Sequence, residues 1–140
     1  MQFNLENGTE LWLCPVSQVT LEQIIADLGG YALQSRLAAL PEAEVRAHFA
    51  AYTPEELAAY LAAQQRQLYY CLGWGVVNDP DPAAGAALAL LEKSSPHPHI
   101  QRLNWLLYVA GLTRQDKARL IGAIMALTYA DAVKRDRDGD

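Results

Sequence analysis

Basic charge, cysteine, β-branched residues and long apolar runs are all scarce in this sequence, and each shortage closes off a class of function. Lysine and arginine number 11 against 16 aspartate and glutamate, for a net charge of −5. A dedicated DNA-binding surface is normally basic, so nucleic acid is not an expected partner. Cys14 and Cys71 are the two cysteines. They stand at no metal or redox spacing, each among apolar neighbours, and read as small buried hydrophobes in a reducing compartment. The longest apolar run, Ala83 to Leu91, reaches about half the length of a membrane span. No charged start precedes an apolar stretch, as a secretory signal would require. The expectation is a soluble cytoplasmic protein with no membrane association.

Catalytic and ligand-binding patterns are equally thin. His97-Pro98-His99 holds the one histidine pair, but an open zinc site needs about three ligands, and the neighbouring Ser94 and Ser95 are poor ones. Asp136-Arg137-Asp138-Gly139-Asp140 has its glycine at the fourth position, whereas a calcium loop needs it at the sixth. The serines lie in no strand–turn–helix elbow, and Cys71 falls in an apolar stripe that would keep its thiol inert. Gly73-Trp74-Gly75 puts a bulky ring where a phosphate would need bare backbone. Glu55-Glu56 is explained by helix capping and the helix dipole. Leu112 to Leu120 resembles the first half of a helix-turn-helix, yet the same period runs on to Val133 without a turn. No enzyme activity, cofactor or metal is expected.

What the sequence does have is alanine, leucine and helix punctuation. At 140 residues with 51% hydrophobic and 19% charged side chains, the chain is globular and long enough to bury about two-thirds of its unfolded surface. The abundance of alanine and leucine favours helices. The expected fold is mainly α, a single domain over 1–140. It comprises a helical bundle of about six helices over 17–133, a short N-terminal β-hairpin over 1–14, and a frayed tail over 134–140.

The central stretch opens with the clearest helix start in the chain. Thr53 can cap, Pro54 suits the first helical position, and Glu56 can reach back. Leu57, Tyr60, Leu61, Gln64, Leu68, Cys71 and Leu72 then form one stripe at spacings of three and four. The hairpin is read from Met1–Glu6 and Thr9–Cys14 flanking Asn7-Gly8 in a two-residue turn. That register puts Phe3 opposite Trp12 and gathers Met1, Phe3, Leu5, Trp12 and Cys14 on one face. A first helix is expected from Thr20 to Gly29-Gly30, a second from Tyr31 to Leu40, and a third from Pro41 to Tyr52. After the central helix, 81–91 reads as helical and Lys93–Pro98 as loop. His99 or Ile100 starts a helix that stops at Gly111, with Leu103, Leu106 and Leu107 inward and Trp105 and Tyr108 on its flanks. Thr113, with Asp116, starts the last helix.

Trp12, Tyr69, Tyr70, Trp74, Trp105 and Tyr108 are many aromatics for one modest core, since tryptophan and tyrosine need partners for their polar atoms. Exposed aromatics near a glycine-flanked bend suit a protein-binding site. The candidate partner-binding residues are Phe3, Trp12, Tyr69, Tyr70 and Trp74, with core packing as the competing use. An unpaired hairpin edge and surplus aromatics also suit a homo-oligomer. Charge is unevenly spread: residues 1–101 carry four basic and eleven acidic side chains, and 102–140 seven basic and five acidic.

The order of these features resembles the small tail assembly chaperones of long-tailed bacteriophages. The hairpin leading into LWLCPVSQVTLEQI, the middle YYCLGWGVVNDPDP and the later RLNWLLYVAGLTRQDKARLIGAIMALT carry the resemblance, which is one of layout over most of the chain. It implies a holdase in the host cytoplasm that coats the tape-measure protein, recruits tail-tube subunits and leaves before the tail is finished. It implies no catalytic residues. Two other readings stand beside it: a permanent structural component of a phage particle, such as a neck, connector or tail subunit, and a small helical enzyme or regulator.

Overall fold

The computed structural model describes residues 1–78 and 98–139, and the side chains of all of these except 98–101. The class is as expected: mainly helical, with a short antiparallel hairpin at the N-terminus. Strands β1 (Gln2–Asn4) and β2 (Glu10–Trp12) precede α1 (Leu21–Ala38), α2 (Glu42–Ala50), α3 (Pro54–Trp74), α4 (Pro98–Tyr108) and α5 (Arg114–Asp138). The helix expected over 81–91 and most of the expected loop that follows it lie outside the described residues.

Helix starts fall where capping chemistry puts them. Thr20 Oγ1 accepts from the Gln23 amide at the head of α1. Thr53 with Glu56, and Thr113 with Asp116, form reciprocal capping boxes that satisfy amides the first turn leaves free.

The hairpin register differs from the expected one by a single residue. Phe3 faces Leu11, and Gln2 faces Trp12. Leu5 and Thr9 close a three-residue turn, with the Leu5 amide donating to Thr9 O and the Gly8 amide to Leu5 O. Gly8, at φ +89°, takes the left-handed position that such a loop needs. A one-residue slip turns every side chain of a strand to the opposite face. Leu11 and Leu13 therefore point into the core beside Leu5, and Trp12 points outward.

Asn7 makes two bonds that fit this geometry. Its Oδ1 accepts from the Thr9 amide, while its Nδ2 donates to Ala110 O at 2.8 Å, in the bend between α4 and α5. The turn residue is spent on docking.

The two glycines expected to end a first helix lie inside α1, which runs unbroken to Ala38. A pair of interior glycines costs about 2 kcal/mol of helix propensity. Packing offsets it: a Cβ on Gly30 would lie 3.3 Å from Gln67 Nε2 of α3. One turn earlier, Asp27 is buried and accepts from Arg66 Nη2 at 2.7 Å and from Tyr70 Oη at 2.8 Å. Gln67 Nε2 donates to the Asp27 carbonyl. These bonds hold α1 against α3 beside Gly30, whereas a Cβ on Gly29 would meet nothing within 4 Å.

The core is one cluster. Leu5, Leu11 and Leu13 of the hairpin, and Val16 and Val19 after it, meet Ile24 of α1, Cys71 and Leu72 of α3, Leu103, Trp105 and Leu106 of α4, and Leu120, Ile124 and Met125 of α5. Trp105, expected on the flank of its helix, is buried, while Tyr108 is exposed. Among buried polar atoms, Thr128 Oγ1 accepts from the Val16 amide and donates to Ile124 O.

The residues expected to form a frayed tail are helical as far as Asp138. Lys134 to Asp138 continue α5, and Arg135 holds them in place by donating to Asp131 and to Val19 O.

Candidate protein-binding surface

Beyond α3 the chain turns at Gly75 and runs alongside β2. Cys14 N donates to Gly75 O, Val77 N to Trp12 O, and Leu13 pairs antiparallel with Val76. Gly75 is required there: a Cβ would lie 2.5 Å from Ile124 Cγ2 and 2.6 Å from Cys71 O. Strand β2 thus lies between β1 on one side and residues 75–78 on the other. Asn78 completes the clamp, accepting from the Trp12 amide at 2.6 Å and donating to Glu10 O.

This arrangement fixes what the sheet presents outward. The Leu13–Val76 pair sets Trp12 opposite Val77 on the outer face, where cross-strand side chains lie side by side. Each is 50% exposed. Trp12 therefore stands as an aromatic anchor on backbone that is hydrogen-bonded on both edges. Val77 was not among the sequence candidates; the extended Val76-Val77 pair was a visible signal for a strand, but its register was not.

Tyr69 and Trp74 of α3 are also exposed, at 41% and 37%. Trp74 is not one of the buried core residues. Its carbonyl accepts from Cys14 Sγ, which ties the end of α3 to the strand bearing Trp12.

Phe3 and Tyr70 do not belong to this surface. Phe3 lies half-buried on the inner face against the core, with the Arg119 guanidinium 5.0 Å over its ring. Arg119 also donates to Asn4 O and pairs with Asp116. Tyr70 is 8% exposed and donates its hydroxyl to Asp27. Adjacent helical positions point about a quarter turn apart, so Tyr69 faces out where Tyr70 faces α1.

The buried groups around Asp27 are held in their protonated forms. Burial, then Cys71 and Asp27, push the Tyr70 hydroxyl well above its ordinary value. Burial first and Asp27 second do the same to the Cys71 thiol, and burial raises Cys14. A thiol nucleophile needs the opposite shift. Asp27, Arg66 and Gln67 went unmarked in the sequence, although a carboxylate set among the apolar Ile24, Ile25 and Leu28 was a readable sign of buried pairing.

His97 lies outside the described residues, and His99 begins α4 with its side chain likewise outside them, so the histidine pair has no geometry to report. Among the described residues no three His, Cys, Asp or Glu side chains group as metal ligands, and no helix is long and apolar enough to cross a membrane. Compared with protein-family models, curated proteins and solved structures, the chain matches none of them.

Proposed function

We propose that this protein is a non-enzymatic, protein-binding chaperone of phage tail assembly, which holds the tape-measure protein and recruits tail-tube subunits. The phage assignment rests on the sequence resemblance. The observation that supports a protein-binding role is the Trp12–Val77 pair, exposed on a strand clamped on both edges. A holder of long apolar stripes needs sequence-tolerant anchors, and a tryptophan with only two side-chain torsions on a hydrogen-bonded backbone loses little entropy on binding.

The test is capture of a tape-measure fragment at low and high salt. Trp12→Ala should weaken capture at least about tenfold with helix content unchanged, and salt should matter little for an apolar contact. Capture that survives Trp12→Ala yet vanishes at high salt moves the site to the basic last helix.

One feature favours the second reading, a permanent neck, connector or tail subunit. The outer edge of β1 has no strand partner among the described residues, and such an edge can accept a neighbour's strand. Purified mature particles separate the two: a chaperone is absent from them and a subunit is present.

A further inference from the structure

Two surfaces away from the sheet carry unmatched charge of opposite sign, and they adjoin along the chain. The first is a groove of about 530 Å³ between α1 and α5, walled by Tyr31, Ser35, Arg114 and Lys117 over Ala118 and Ile121. Through Gln34, Lys117 and Ile121 it continues into a hollow of about 220 Å³ beside Leu61 and Leu68 of α3. Two cations and no carboxylate line the combined groove. Arg46, Arg66, Arg119, Arg135 and Arg137 each pair with a carboxylate. Arg114 and Lys117 have no such partner among the described residues.

The second surface is the corner formed by α2 and the first turn of α3. It carries Glu42, Glu44, Glu55 and Glu56 against the single cation Arg46. Glu42 is held by Arg46 and Glu56 by its cap. Glu44 and Glu55 are exposed, with no partner among the described residues. Leu40 and Leu57 beside them are exposed, and α2 buries none of its residues. The corner thus offers two unpaired carboxylates and uncovered leucines; the groove offers two unpaired cations over an apolar floor.

We propose that a second copy of this chain fills the groove, the acidic corner of each copy docking on Arg114 and Lys117 of the other. Charge complementarity selects this occupant. Each copy carries both a groove and a corner, so a two-fold axis between copies can satisfy both contacts at once, closing the assembly as a dimer.

The full-length protein is tested by analytical ultracentrifugation up to about 1 mM. The wild type should dimerise, more weakly as salt rises. Arg114→Glu with Lys117→Glu should weaken the dimer at least about tenfold, as should Glu44→Lys with Glu55→Lys. Mixing the two double variants should restore a mixed dimer, because each then meets opposite charge at both contacts. That rescue separates lost complementarity from lost folding. A wild type that stays monomeric, a dimer indifferent to both double variants, or a mixture that fails to associate would each overturn the proposal.

Discussion

The two ends of α3 are built from similar residues and live in different surroundings. Leu72, at the C-terminal end, is fully buried among Cys71, Val76 and the helices around them. Leu61, three turns earlier on the same helix, is 53% exposed. The C-terminal end is crossed by long-range bonds: Asp27 from α1, the hairpin beside Gly75, and α4 and α5 on the remaining sides. The N-terminal end has local ones. Phe49, Tyr52 and Tyr60 meet in two T-shaped pairs and one tilted pair with ring centroids 5.1 to 6.3 Å apart, and His48 bonds to the Tyr52 hydroxyl. Aromatic pairs of this kind contribute roughly 0.5–1.5 kcal/mol each beyond area burial. That is enough to shape a corner and too little to make it a second core. An apolar stripe makes a helix amphipathic; whether the stripe is covered depends on elements far away in sequence.

Breaking the anchored end should have the largest effect. Asp27→Ala removes a buried carboxylate that satisfies Arg66 and Tyr70, and leaves the Tyr70 hydroxyl buried without an acceptor. Loss of one partner of a buried pair costs about 3–5 kcal/mol when both are enclosed. Arg66 is half exposed, so the lower part of that range is expected. Urea unfolding of the variant should give a lower midpoint at an unchanged slope. A midpoint within error of wild type would show that α1 and α3 are joined by apolar packing alone, with the polar network incidental.

The hairpin's junction with α5 comes next, and its contribution to stability should depend on pH. Asp116 has no accessible surface and accepts from the Glu6 and Thr113 amides and from Arg119. Burial alone would raise its carboxyl, but the hydrogen bonds from Thr113, Glu6 and Arg119 outweigh burial and lower it from its ordinary 3.8. A folded-state value below the unfolded one means that the contribution is complete above about pH 4 and disappears as pH falls through the lowered value. Asp116→Asn should cost about 1.5–3 kcal/mol near neutral pH, the range for hydrogen bonds to a charged group. The difference in Tm between wild type and variant should shrink on acidification below pH 4. A gap that stays constant from pH 7 to pH 3 would mean that the charge on Asp116 contributes nothing.

Local signals in the sequence were reliable because they act within a few residues. Thr20, Thr53 and Thr113 cap the helices they were expected to cap, and the mainly helical class follows from them. The features that went astray depend on distant partners. Asn7-Gly8 favours a two-residue turn by local preference, and the three-residue form buries Leu11 and Leu13, bonds Asn7 to Ala110 O and turns Trp12 outward. Gly29-Gly30 is a helix stop by local preference, yet α1 runs on through both, with Gly30 set against Gln67 of α3. For the candidate surface, Trp12, Tyr69 and Trp74 were visible as aromatics. That Tyr70 is buried required knowing that Asp27 lies across from it.

The smallest effect should come from the uncovered end of α3, and it sharpens the contrast most directly. Leu61→Ala removes a side chain that is already about half in water, so the change should stay within about 0.5 kcal/mol. The same truncation at Leu72 should cost about 2–5 kcal/mol, since it opens a cavity in a fully packed site. Amide hydrogen exchange gives an independent reading of the same division. Amides of α2 and the first turns of α3 should exchange through local opening at low free energy, whereas those around Leu72 should exchange only with global unfolding. In a monomer the two groups differ. Where copies associate through the acidic corner, protection of α2 should rise with protein concentration and fall again in the Glu44→Lys, Glu55→Lys variant. Equal protection at both ends of α3 in dilute solution would show that the helix opens as one unit, and the division drawn between its two halves would then not hold.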